Sequence, residues 1–95
     1  MLTEKQVEAR LRVRVKQVGG QALKFVSPGH NGVPDRLVFM PGGRIYLVEL
    51  KAPGKKLSPL QLKWKTRFEK LGFKYYVIDS YEGVEKFIKE VITIE

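Results

Sequence analysis

Gly32-Val33-Pro34-Asp35-Arg36-Leu37-Val38-Phe39-Met40-Pro41-Gly42-Gly43-Arg44-Ile45-Tyr46-Leu47-Val48-Glu49-Leu50-Lys51 is the stretch on which the fold turns. Two apolar runs flank Pro41-Gly42-Gly43, which reads as a β-hairpin. With those three residues as the loop, Met40 faces Arg44, and counting back sets Asp35 across from Glu49. Cross-strand Cβ atoms lie about 4.5–5.5 Å apart, a spacing that suits two carboxylates sharing one cation. A two-residue loop would shift the register by one and turn Asp35 to the other face. Side chains two apart on a strand share a face, so Ile45, Leu47, Glu49 and Lys51 lie together. That face begins apolar and ends charged, as it does when one end of a strand enters the core and the other opens into a cleft.

An acid followed by an acid-x-lysine on a strand is a compact way to build a Mg²⁺ site for cutting phosphodiesters. A hard divalent cation takes oxygen ligands, here carboxylates from two places in the chain. Such an ion polarises the scissile phosphate and lowers the pKa of a water. The Lys51 ammonium adds positive charge where the transition state is most negative, or helps orient or deprotonate the attacking water. The bland alternative is a turn aspartate after Pro34 and a solvated Glu49/Lys51 pair, since E-x-K alone is a weak motif. Against it, Glu49 and Lys51 interrupt a core-like run of Ile45, Tyr46, Leu47, Val48 and Leu50. Charges in such a run are costly unless paired or ligated.

Composition bounds the partners. Ninety-five residues make one domain, 1–95, with a limited core for which self-association is plausible. The absence of cysteine excludes disulfides and thiolate metal sites and fits a cytoplasmic setting. No apolar run is long enough to span a membrane, and the start lacks a signal-peptide pattern. A net charge of +8 calls for a polyanionic partner. Its spread over several elements favours nucleic acid over a membrane surface.

Working outward, Thr3-Glu4-Lys5-Gln6 is a capping box that starts a helix over about 4–18. Val7, Leu11, Val15 and Val18 form its buried stripe, and Gly19-Gly20 stops it. Ala22 to Ser27 reads as a strand and Pro28 to Pro34 as a loop. After the hairpin comes a basic loop, Ala52 to Lys56. Ser58-Pro59-Leu60-Gln61 then opens a second helix with a cap, a proline at the first helical position and a closing glutamine. Leu60, Trp64, Phe68 and Leu71 form its apolar stripe. Lys74 to Asp79 is a fourth strand. Ser80 caps a third helix running to about Val91, with Val84, Phe87, Ile88 and Val91 inward. The order α-β-β-β-α-β-α, with a right-handed crossover making the last two strands parallel, describes an α/β fold. Its mixed four-stranded sheet is flanked by helices.

That order resembles the restriction-endonuclease-like core of the PD-(D/E)XK nucleases. Within that superfamily the chain is similar to the VRR-NUC (virus-type replication-repair nuclease) domain in its stand-alone phage or bacterial form. Glu8 on the first helix, Gly32-Val33-Pro34-Asp35, Val48-Glu49-Leu50-Lys51 and Gln61 carry the resemblance, and they span most of the chain. The resemblance implies a Mg²⁺- or Mn²⁺-dependent, structure-selective DNA endonuclease in a bacterial or phage-infected cytoplasm. It also implies a homodimer similar to Holliday-junction resolvases that leaves a 5′-phosphate and a 3′-hydroxyl. Asp35 and Glu49 would be metal ligands, with the Leu50 carbonyl as a third oxygen. Lys51 would be the catalytic lysine, Glu8 an outer carboxylate, and Gln61 the group that orients Lys51 or the phosphate. Glu8 borders the buried stripe, although helix surfaces commonly carry glutamates. Gln61 has a capping role compatible with a place in the site.

The remaining basic residues suit phosphate contact, which positions DNA without reading sequence. They form two sets, Arg10, Arg12, Arg14 and Lys16 on the first helix, and Lys55, Lys56, Lys63, Lys65 and Arg67 around the second. Lys24 points either into the cleft beside the acids or into solvent. His30, the only histidine, reads as an exposed loop residue, and the loop glycines could let backbone approach DNA. The competing readings are a basic DNA-binding module without catalysis and a small restriction-type or nicking nuclease.

Overall fold

The computed structural model describes residues 1–92, so the last three positions of the expected domain lie outside the described residues. The elements are α1 (Glu4–Gln17), β1 (Gln21–Lys24), β2 (Arg36–Met40), β3 (Arg44–Leu50), α2 (Pro59–Lys70), β4 (Lys74–Ile78) and α3 (Tyr81–Ile92). Their order is the one the sequence predicts. Among the described residues no helix is long and apolar enough to cross a membrane.

The sheet runs β1-β2-β3-β4. The first two pairs are antiparallel, and β3 pairs β4 in parallel through the α2 crossover. Met40 pairs with Arg44 and Arg36 with Val48. The hairpin loop is therefore Pro41-Gly42-Gly43, and Asp35 falls opposite Glu49. Gly42 and Gly43 both have positive φ (86° and 74°), a backbone that side chains with a Cβ rarely adopt.

One sheet face carries Val38, Met40, Tyr46, Val48, Leu50 and Ile78, packed under α1 and α3. Thr3 caps α1 with both halves of the box formed: Thr3 N–H donates to Gln6 Oε1 at 2.8 Å, and Gln6 N–H donates to Thr3 Oγ1 at 3.2 Å. Val7, Leu11 and Val15 are fully buried, while Val18, expected in the same stripe, is the C-cap and only partly buried. Val84, Phe87, Ile88 and Val91 of α3 all face inward. β1 is shorter than the expected 22–27 stretch. Past Lys24 the chain keeps one more ladder bond, Phe25 N–H to the Asp35 carbonyl at 2.9 Å, before Pro28 and Gly29 turn it away.

The other face is covered more thinly. α2 lies over it with Phe68 against Phe25, yet α2 buries none of its residues completely. Its apolar stripe is present but only half used, since Leu60 and Leu71 are exposed. Trp64 and Phe68 are spent on holding the loop before β2. Trp64 Nε1–H donates to the Asn31 carbonyl at 2.9 Å, and the His30 ring meets the indole edge-on. At Gly32 (φ +88°) a Cβ would lie 2.7 Å from Leu60 Cγ. That glycine brings the loop close to α2, a different use from the approach to DNA that the sequence suggests.

Candidate active site

Glu49 is 3% exposed, the buried charged residue of the described chain. Alternation along β3 sends Tyr46, Val48 and Leu50 into the main core and turns Leu47 and Glu49 toward α2. Each neighbour of Glu49 has its own structural reason for being there. Asp35 stands at the end of the β2–β3 ladder, where its Oδ2 accepts the Leu50 N–H at 2.9 Å. Lys51 follows on the same strand face, its backbone N–H bonded to the Ile78 carbonyl at 3.0 Å. Its Nζ lies 3.8 Å from Glu49 Oε2.

Gln61 shows how one residue serves cap and site together. Its Oε1 accepts the Ser58 N–H at 2.9 Å, and Ser58 Oγ accepts the Gln61 N–H at 3.2 Å. The capping box therefore fixes which end of the amide faces outward. The Nε2 end donates to Glu49 Oε2 at 2.9 Å. Gln61→Glu keeps a good capping residue at this position but sets a carboxylate against Glu49. The expected result is a folded protein with unchanged helix content and nuclease activity lowered about 10²-fold, in the range for losing one preorganised donor. Circular dichroism and initial cleavage rates check this, and a variant as active as the parent would remove Gln61 from the site.

The electrostatics of Glu49 follow from this packing. Burial first, then the adjacent Asp35 charge, push its carboxyl up to about 8, while Lys51 pulls the other way and the charge of Glu4 adds to the rise. Glu49 Oε1 faces no hydrogen-bond partner. A buried carboxylate beside a second acid needs either a proton or a cation. Among the described residues no group of three or more His, Cys, Asp or Glu side chains gathers as a metal cluster. The carboxylates that meet here are Asp35 and Glu49. That suits Mg²⁺, which typically takes one or two carboxylates and completes its shell with water and substrate phosphate.

Of the other expected residues, Glu8, Lys24, Arg10 and Arg14 have their surroundings away from the acid pair. Glu8 lies on the α1 side of the sheet, where its Oε2 accepts from Arg36 Nε at 2.8 Å. Of the α1 carboxylates it is Glu4, one turn earlier, whose charge acts on Glu49. Its place in the capping sequence hides that reach, although residues four apart share a helix face. Lys24 pairs with Arg36 across β1–β2 and is exposed on the same side, away from the acids. Arg14 Nε donates to both Glu85 oxygens at 3.0 Å. Arg10 lies 3.7 Å from Glu85 and over the Tyr81 ring. These two arginines tie α1 to α3. Lys55, Lys56 and Lys63 are exposed around the start of α2, without ion pairs among the described residues. His30 is exposed and touches Trp64 and Ser27.

A mixed sheet whose parallel pair opens onto two acids and a lysine is the architecture of an α/β nuclease domain. The model of the VRR-NUC domain family matches residues 2–82, and the chain belongs to that family and is a nuclease domain. It is 48% identical over 82 residues, 86% of this chain and 88% of the other, to the "Putative nuclease p44" of Acyrthosiphon pisum secondary endosymbiont phage 1. A solved structure of a VRR_NUC domain superimposes with a TM-score of 0.86 at 34% identity, covering 93% of this chain and 97% of that one.

Proposed function

We propose that the chain is a Mg²⁺- or Mn²⁺-dependent, structure-selective DNA endonuclease, acting as a homodimer on branched DNA such as a four-way junction. The observation that carries this reading is buried Glu49 beside Asp35, with one carboxylate oxygen lacking a donor. A non-catalytic DNA binder has no use for a carboxylate pair that repels phosphate.

Asp35, Glu49 and the Leu50 carbonyl would hold the cation, with Glu4, whose charge acts on Glu49, as an outer carboxylate in place of Glu8. A divalent ion bound there would supply Lewis acidity toward the phosphate and would lower the pKa of the attacking water. The chain's own groups do the rest. Gln61 holds the Glu49 carboxylate from one side. Lys51 stands beside it and offers positive charge to the oxygens on which negative charge builds. Lys55, Lys56 and Lys63, near the α2 N-terminus, bind backbone phosphate with steep salt dependence.

A junction must be cut on two strands, which a two-fold dimer supplies. The thinly covered sheet face supports self-association: Phe25, Leu37, Phe39, Ile45, Leu47, Phe68 and Phe73 line an apolar hollow there.

The test compares four-way junction, flap, nicked and linear duplex with Mg²⁺, Mn²⁺ or EDTA, using wild type and Asp35→Ala. The expected result is junction cleavage to 5′-phosphate ends, lost in EDTA and lost in the variant. Cleavage that survives EDTA or Asp35→Ala sinks the metal site. Preference for nicked or linear duplex points instead to a nicking or restriction-type enzyme, and tight binding without cutting to a binding module.

A further inference from the structure

Among the described residues, two buried side-chain polar atoms face no hydrogen-bond partner: Glu49 Oε1 and the Tyr75 hydroxyl. The sheet register sets them on the same face of neighbouring strands. Tyr75 pairs with Leu47, and Glu49 pairs with Val77, so the two side chains are diagonal neighbours. Helix α2 closes over both. Gln61 reaches Glu49, and Lys65 Nζ lies 6.0 Å from the Tyr75 ring centroid. Burial first, then the charges of Glu49 and Asp35, push the Tyr75 phenol up, so it remains a hydrogen-bond donor. Burying two polar atoms without partners is costly, and one buried water can serve both. The adjacent Tyr76 belongs to the opposite face, with its ring 4.8 Å from that of Phe87.

We propose that Tyr75 is a positioning residue for Glu49, its hydroxyl donating through one buried water to Glu49 Oε1. Gln61 holds one oxygen of the carboxylate and Tyr75 the other, so its plane is set from both sides. The functional consequence rests on the metal-dependent reading above, because an oriented carboxylate matters for holding a cation.

Two measurements on the full chain test this. Calorimetric titration with Mn²⁺ compares wild type, Tyr75→Phe and Asp35→Asn. Thermal unfolding in EDTA compares wild type, Tyr75→Phe, Glu49→Gln and the double variant. Tyr75→Phe is expected to fold and to bind Mn²⁺ about 10-fold or more weakly. Its effect on melting is expected to be non-additive with that of Glu49→Gln. Additive effects overturn the water-linked contact whatever the binding data show. Unaltered Mn²⁺ affinity in Tyr75→Phe, with Asp35→Asn impaired, overturns the positioning role alone. A wild type that binds no Mn²⁺ overturns the metal-dependent reading and the positioning role together, while the melting cycle still decides whether the contact exists.

Discussion

Glu49→Gln is expected to abolish cleavage, by about 10³-fold or more, and at the same time to stabilise the metal-free protein at alkaline pH. The two effects share one cause. In the fold the Glu49 carboxyl is pushed up to about 8 from an ordinary 4.5. Between those values the folded chain holds a proton that the unfolded chain has released. The contribution of Glu49 to stability is therefore full below the lower value. It declines as pH rises and is lost through about 8. Glutamine has the same shape and no charge to bury, so the variant lacks that slope. Melting temperatures in EDTA from pH 5 to 9 should fall more steeply for wild type than for Glu49→Gln. Mn²⁺ should restore the wild type at high pH and leave the variant unchanged. Parallel pH profiles would show that Glu49 is not a strained acid.

Lys51→Ala is expected to lower cleavage by about 10²- to 10³-fold. Lys51 is the positive charge that pulls the Glu49 carboxyl down against burial and Asp35. Without it Glu49 holds its proton more tightly, so activity should also need a higher pH. Lys51→Arg separates the two roles open to the ammonium. Arginine keeps the charge but does not give up a proton in proteins. Recovery of most of the activity in Lys51→Arg assigns the residue to charge stabilisation, and continued loss assigns it to proton handling. The measurement is a pH profile of kcat and KM for all three proteins. Lys51→Ala within a factor of two of wild type would remove Lys51 from the chemistry.

The legible parts of this chain are those governed by short-range rules. Both capping boxes form as their sequences predict, because cap and closing residue are three apart and need no tertiary partner. The hairpin register follows from three loop residues with two adjacent glycines. That register brings Asp35 and Glu49 together. Less was legible where a side chain had two partners to choose from. Arg10 and Arg14 read as phosphate ligands, yet both meet Glu85 of α3, and Arg10 also lies over Tyr81. Glu8 reads as a site carboxylate, yet Arg36 takes it on the α1 side. Trp64 reads as one member of an apolar stripe, while its indole N–H anchors the loop that leads to Asp35.

Element order, the mixed sheet and the meeting of the acid pair with Lys51 follow from local sequence rules. Strand alternation and turn length act over a few residues and leave little freedom. The surroundings of the pair came instead from tertiary packing: the depth of Glu49, the Gln61 amide brought within 2.9 Å of it, Tyr75 on the same sheet face, and Glu4 as the α1 charge that acts on it. Those features depend on how closely α1 and α2 approach the sheet. That approach is set by packing among residues far apart in the chain, and burial then turns an ordinary carboxylate into one that needs a proton or a cation.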